Sequence, residues 1–193
     1  MLKLANYALN GVPYTDPPTL STDGKIPLVL ALQGSGAGQR IGRTISVVSL
    51  DVVWSIDHTT VAAGAEDTNT VRVIFAEDRA PLGSDIRDYS AAFDINPGFA
   101  QLSHVKTDVL PPLFTVLADD LHVIRSQNAT KTRLSGRKHL DFSSQPLVFM
   151  FPYDPLQDFP VNRQIGAYFI LQKIDPLGID AFNLNVQMAY YDH

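Results

Sequence analysis

Residues 34–57 read GSGAGQRIGRTISVVSLDVVWSID, a glycine-rich corner that runs directly into the longest strand pattern in the chain. From Val48 onward Leu50, Val52, Trp54 and Ile56 share one face, while Ser49, Asp51, Ser55 and Asp57 fall on the other. That period of two marks a half-buried strand, because successive side chains of a strand point to opposite faces. Ile45 and Val47 occupy the opposite phase. Either both faces are covered there, or an extra residue near Val47 and Val48 shifts the register as a bulge does; the bulge is the reading adopted.

Upstream, Ile26, Leu28, Leu30 and Leu32 alternate and predict a strand ending at Gln33. Residues 1–24 carry Pro13, Pro17, Pro18 and the Asp23-Gly24 turn, and read as an extended arm or surface strap. Downstream, a loop over 58–69 precedes a strand at Val71, Val73 and Phe75, and Ile86 to Phe93 has room for one or two helical turns within a long irregular stretch. Phe114 to Ile124 reads as a strand bent or bulged around Asp119 and Asp120, followed by a basic, polar loop from Arg125 to Lys138. Short strands are expected at Leu140 and Phe142 and at Leu147, Phe149 and Phe151, and another over 166–173 (GAYFILQK), an apolar run of strand length rich in aromatic and branched residues. The strict alternation of Phe182, Leu184, Val186, Met188 and Tyr190 is the cleanest strand signal. About eight strands, at most one short helix and no alternation of strands with helices predict an all-β fold, an eight-stranded antiparallel jelly-roll sandwich with long loops.

The 193 residues suit one sizeable domain, placed at 25–193 behind the arm. A hydrophobic content of 45% excludes bulk disorder, and no apolar run approaches the roughly 18 to 20 residues of a membrane helix. With no cysteine, thiolate zinc sites and cysteine catalysis are excluded. The first residues predict neither a secretory signal nor a transit peptide. A net charge of −5 argues against polyanion binding by the domain as a whole, so nucleic-acid contact needs a local patch.

Taken in order, QGSGAGQRIGRTISVVSLDV, VRVIFAEDRAPLG, FDINPGFAQLSHVKTDVLPPLFTVLADDLHVI, GRKHLDFSSQPLVFMF and IGAYFILQKIDPLGIDAFNLNVQMAYYD resemble successive segments of one family. These are the single jelly-roll capsid proteins of small circular Rep-encoding single-stranded DNA (CRESS-DNA) viruses, the group that includes geminiviruses and circoviruses. The resemblance covers roughly 26–193 and lies in the co-linear set of segments, since no one motif is diagnostic. It implies a non-enzymatic, cofactor-free protein that self-assembles into an icosahedral (T=1) shell of about 60 copies around a circular single-stranded DNA genome. The implied location is the virion, assembled in the host cell with the nucleus as a candidate compartment. The implied partners are copies of the chain, the DNA and a host receptor, with no membrane. One feature departs from the family: its members carry an N-terminal arm crowded with Arg and Lys, whereas residues 1–24 here hold only Lys3.

The run GSGAGQRIG lacks the Lys-Ser/Thr and the following helix that a phosphate loop requires, so its glycines are read as turn formers. Arg40 and Arg43 are candidate phosphate contacts, because a guanidinium pairs with phosphate through two parallel bonds; ion pairing with acids is the alternative. Lys131, Arg133, Arg137 and Lys138 form the densest basic cluster, a polyanion site or a solvated loop. Tyr89, Phe93, Phe99, Tyr153 and Phe159 are aromatic candidates for subunit contacts, or pack within their own loops. The histidines at 58, 104, 122, 139 and 193 lack metal-binding spacing. Asp119, Asp120 and Asp192 are the acids suited to a bridging calcium ion, or are simply solvated. Asn128-Ala129-Thr130 matches a glycosylation sequon expected to stay bare without a signal peptide, and Ser143 and Ser144 lack a catalytic elbow. A carbohydrate- or ligand-binding jelly-roll module forming a small oligomer is the competing function, and a cupin-type enzyme the third.

Overall fold

The computed structural model describes residues 1–12, 25–59, 66–81, 86–94, 104–106, 113–127, 131–153, 159–171 and 179–193. Nine strands and one helical turn follow along the chain: β1 (Leu2–Val12), β2 (Lys25–Pro27), β3 (Thr44–Thr59), β4 (Glu66–Asp78), α1 (Tyr89–Ala92), β5 (Phe114–Gln127), β6 (Lys131–Asp141), β7 (Leu147–Met150), β8 (Gln164–Leu171) and β9 (Ile179–Asp192). Every ladder between them is antiparallel. One sheet runs β1-β9-β3-β6, with β7 pairing the start of β3; the other runs β2-β8-β4-β5. Early strands thus pair with late ones, β1 with β9, β2 with β8, β3 with β6 and β4 with β5, as in a single long ribbon wound until β3 meets β9 and β4 meets β8. With β7 as an addition, that is the eight-stranded double Greek key of a jelly roll.

The bulge expected near Val47 and Val48 is present: β3 against β9 skips from Val47 to Ser49. The extra residue explains the phase change, because Ile45 and Val47 face the interior before it and Leu50, Val52, Trp54 and Ile56 after it. A second shift, between Phe75 and Ala76 of β4, leaves Leu117 of β5 unpaired and bends that strand.

The interior between the sheets is filled by these β3 residues together with Val71, Val73, Phe75, Phe169, Leu184 and Met188. Each fully buried aliphatic or aromatic side chain contributes about 1.5–3 kcal/mol. A second cluster lies on the outer face of the other sheet, where Phe93, Ala92 and Ile86 cover Ile74, Ala76, Tyr168 and Ile170. Phe93 meets Phe114 and Tyr168 edge-on at 5.8 Å each, and the Tyr168 hydroxyl donates to the Arg87 carbonyl at 2.7 Å. Both faces of β4 and β8 are therefore covered over this stretch, which is why β8 reads as a continuous apolar run and why apolar Ile74 and Ala76 fill the other phase of β4.

Three expectations are corrected. Residues 2–12 are not an arm but a strand of the first sheet, in register with β9 from Leu2 opposite Tyr191 to Val12 opposite Phe182; residues 13–24 lie outside the described residues. The strand expected from Ile26 to Gln33 ends at Pro27, because the Gln164 side chain takes over the pairing, accepting from Val29 N at 3.1 Å and donating to Val29 O at 3.4 Å. The basic loop is largely β6, paired residue by residue with β3 from Thr59 opposite Lys131 to Ser49 opposite Asp141.

Candidate assembly surface

The glycine corner is pinned from within. Arg40 is fully buried, its guanidinium donating to Ala31 O at 3.0 Å and Gly42 O at 2.9 Å and lying 4.3 Å from the Phe151 ring centroid. A predicted phosphate contact is thus a structural residue: inside the sandwich end it donates to backbone carbonyls, and its burial keeps it from a polyanion. Gly38 and Gly42 hold the corner against the sheet, since a Cβ on Gly38 would lie 2.6 Å from Leu4 O and one on Gly42 2.0 Å from His193 O.

Asp192 ties the corner to both ends of the chain. Its carboxylate accepts from Lys3 Nζ at 2.7 Å, Ile41 N at 2.6 Å and Gly42 N at 3.2 Å, and Lys3 also donates to Gln39 O at 2.8 Å. Burial opposes ionisation of Asp192, but the hydrogen bonds from Lys3, Ile41 and Gly42 outweigh it and hold the carboxyl below its ordinary range. Beside it, burial together with Asp192 pushes the Tyr190 phenol up to about 12.

The basic cluster of β6 is divided by the strand itself. Arg133 and Arg137 point outward, and Lys138 is turned to the opposite face. Arg133 forks onto Asp57 at 2.7 and 3.1 Å, Arg137 reaches Asp51 at 2.9 Å, and His139 lies 3.1 Å from the same carboxylate. Hydrogen bonding from Arg137, with His139 adding to it, draws the Asp51 carboxyl below its usual range. Lys138 crosses the open edge of the sandwich to Asp120 of β5 at 3.0 Å. These bases pair with acids instead of forming a basic patch. Of Lys131 the structure describes the backbone, opposite Thr59. The calcium candidates are likewise engaged: Asp119 with Arg72 at 2.8 Å, Asp120 with Lys138 and Asp192 with Lys3. No three His, Asp or Glu side chains converge among the described residues.

Arg43 differs. It is exposed, its Nε donates to Phe151 O at 3.2 Å, and its guanidinium stacks 3.4 Å from the Tyr153 ring centroid. Tyr153 is 84% exposed, whereas Phe159 is half-buried. Phe93 is overturned as a surface anchor, since it is the centre of the second core. Tyr89 opens α1, with its side chain outside the description, and Phe99 lies outside the described residues.

The structure brings together a surface that the sequence reading missed. Leu2, Tyr191, Ser46 and Val148 are register partners across β1, β9, β3 and β7, so they form one outward row about 14 Å wide, three strand spacings, in which Ser46 is buried and bonded to His193 Nε2 at 2.7 Å. Leu4 continues it on β1 and Met150 on β7, and Val161 is fixed alongside through its N–H to Met150 O at 2.8 Å. Leu2 and Leu4 are 50% and 51% exposed, and Val148, Met150, Val161 and Tyr191 between 41% and 46%. None of these residues carries charge, whereas the β3–β6 half of the same face is a ladder of ion pairs. One signal was available beforehand: the run Leu147–Phe151 is apolar in both phases, and only one phase can face the core.

Among the described residues no helix is long and apolar enough to cross a membrane. No family model matches the chain, and no curated protein matches it. Among solved structures it is similar to Desmodium yellow mottle tymovirus at 9% identity over 98% of this chain and 86% of that one, with a TM-score of 0.32. It is similar to the Israel acute paralysis virus pentamer at 10% identity over 100% and 68%, TM-score 0.37. A third is polyomavirus VP1 from Trichodysplasia spinulosa-associated polyomavirus in complex with 3′-sialyllactose, at 11% identity over 98% and 93%, TM-score 0.24. These are distant likenesses to virus structures, and the jelly-roll assignment rests on the strand order of the chain itself.

Proposed function

We propose that the chain is the capsid protein of a small circular single-stranded DNA virus, closing into a T=1 shell of about 60 copies around its genome. The observation that supports self-assembly best is the uncharged apolar half of the first sheet's outer face. Leu2, Leu4, Val148, Met150, Val161 and Tyr191, each between 41% and 51% exposed, leave on the order of 500 Å² open, against ~800 Å² that one partner gives to a standard interface. A monomer seldom leaves more than a few hundred Å² of contiguous apolar surface uncovered. Tyr and Met among branched apolar side chains, with no Lys, Asp or Glu, is also the composition of an interface centre. For the genome, Arg43 is the strongest of the predicted phosphate contacts, because none of its described partners is a carboxylate.

The test is light scattering with the 260/280 nm absorbance ratio, followed by electron microscopy of the heaviest species. Uniform megadalton shells are expected, with a high 260 nm signal if DNA is enclosed, and Val148→Asp/Met150→Asp should abolish them while leaving a folded chain. A small oligomer that never assembles across salt and pH would overturn the reading in favour of a ligand-binding module, to be examined on a glycan array.

A further inference from the structure

β1 closes the first sheet on one side: its one described ladder runs to β9, and no described residue pairs with its other edge. An open edge presents unpaired N–H and C=O groups, and proteins ordinarily guard such edges by keeping them short or by placing proline or charge on them. The glycine corner packs on β1 at Leu4, where a Gly38 Cβ would lie 2.6 Å from Leu4 O, but from Asn6 onward the strand's own sequence has little of this protection. It is eleven residues long, contains no proline, and its sole charge, Lys3, is 14% exposed and spent on Asp192. A register shift between Leu9 and Val12 is the one irregularity along it. Its outward side chains at Leu2, Leu4, Asn6 and Ala8 are all exposed and uncharged, and Leu2 and Leu4 belong to the apolar row described above.

We infer that β1 pairs antiparallel with β1 of a second copy of this chain about a two-fold axis, joining two five-stranded sheets into one continuous sheet. An uncharged strand is complementary to itself in this arrangement, since the two-fold axis places it against its own reversed copy and no like charges meet. Backbone hydrogen bonds supply the pairing along Asn6–Asn10, where the axis sets the outward Asn6 and Ala8 beside their own copies. The inference rests on the reading that the chain associates with itself, but on neither a shell nor DNA.

The absence of cysteine makes the test direct. Single cysteines placed at each position from Asn6 to Asn10 in the full chain, alone and as mixtures of adjacent variants, are oxidised and resolved by mass. Directly opposed residues of an antiparallel pair have Cα atoms about 4.5–5.5 Å apart, within disulfide reach. One register should therefore give a covalent dimer of twice the 21.2 kDa chain mass, well above a Ser135→Cys control on the outward face of β6. In parallel, Leu4→Lys/Ala8→Lys, both at exposed positions, should weaken self-association in sedimentation at least tenfold without lowering the melting temperature. Cross-linking no greater than the control at every position, or unchanged association of the double-lysine variant, overturns the inference. Cross-linked dimers from a chain that never forms shells uphold it and overturn the capsid reading, and shells without β1 cross-links do the reverse.

Discussion

Gly136→Ala is expected to destabilise the chain through one contact. Gly136 lies opposite Trp54 across the β3–β6 ladder, and a Cβ there would stand 2.4 Å from Trp54 Cζ2, 2.6 Å from Cε2 and 3.0 Å from Nε1. Carbon atoms in contact sit about 3.5–4.0 Å apart, so the indole would have to retreat by roughly 1 Å. It has little room to do so, because the ring is buried and held edge-on by His122 at 5.1 Å and Phe169 at 5.8 Å. Overpacking of this kind costs about 1–3 kcal/mol, of which alanine's lower chain entropy in a strand recovers ~0.5–1 kcal/mol. The net loss is therefore between about 0 and 2.5 kcal/mol, and at the middle of that range, near 1 kcal/mol, a fall in melting temperature of roughly 2–4 °C for a chain of this length. Trp54→Phe removes the three clashing atoms, so the same alanine in that background should cost at least ~1 kcal/mol less. Urea unfolding followed by far-ultraviolet circular dichroism measures all four corners of the cycle, including the variants that lack the single tryptophan. An equal penalty in both backgrounds, or a stabilising Gly136→Ala, would refute the packing argument.

Other expectations follow from the buried charges. Arg40→Met should leave Ala31 O and Gly42 O without donors and cost on the order of 3 kcal/mol, read as a lower urea midpoint; an unchanged midpoint would return Arg40 to the list of surface contacts. Asp78 is fully buried, accepts a forked pair from Arg87 at 2.9 and 3.0 Å and also caps the Ala80 and Arg87 amides. Asp78→Asn should cost about 3–5 kcal/mol and speed hydrogen exchange across residues 86–93, where the second core is anchored. Because the folded-state pKa of Asp192 is depressed below 3.8, its contribution to stability is fully present above the unfolded value and lost as pH falls through the folded one. Urea midpoints from pH 7 to pH 2.5 should accordingly fall less steeply at the acid end for Asp192→Asn than for the unaltered chain.

Strands that bury one alternating face could be read without any partner. The phases of β3 and β9, the bulge at Val48, the helical turn before Phe93 and the sandwich class all follow from local alternation and its interruptions, because such a strand carries its burial pattern in its own residues. β1 could not be read that way, since Leu2 and Leu4 point outward while Lys3 is turned in onto Asp192, and the strand is ordered by β9, a partner nearly 190 positions away. Nor could β6, whose outward arginines look like loop residues until Asp51 and Asp57 are placed opposite them. Arg40 and Phe93 were misjudged for the same reason: what buries Arg40 is the sandwich end around Phe151, and what surrounds Phe93 is the outer face of β4 and β8. Sequence by itself determined which residues form strands with a buried side. Only the tertiary structure decided which charges neutralise one another and which apolar side chains are left for another molecule, because both depend on pairing residues far apart in the chain.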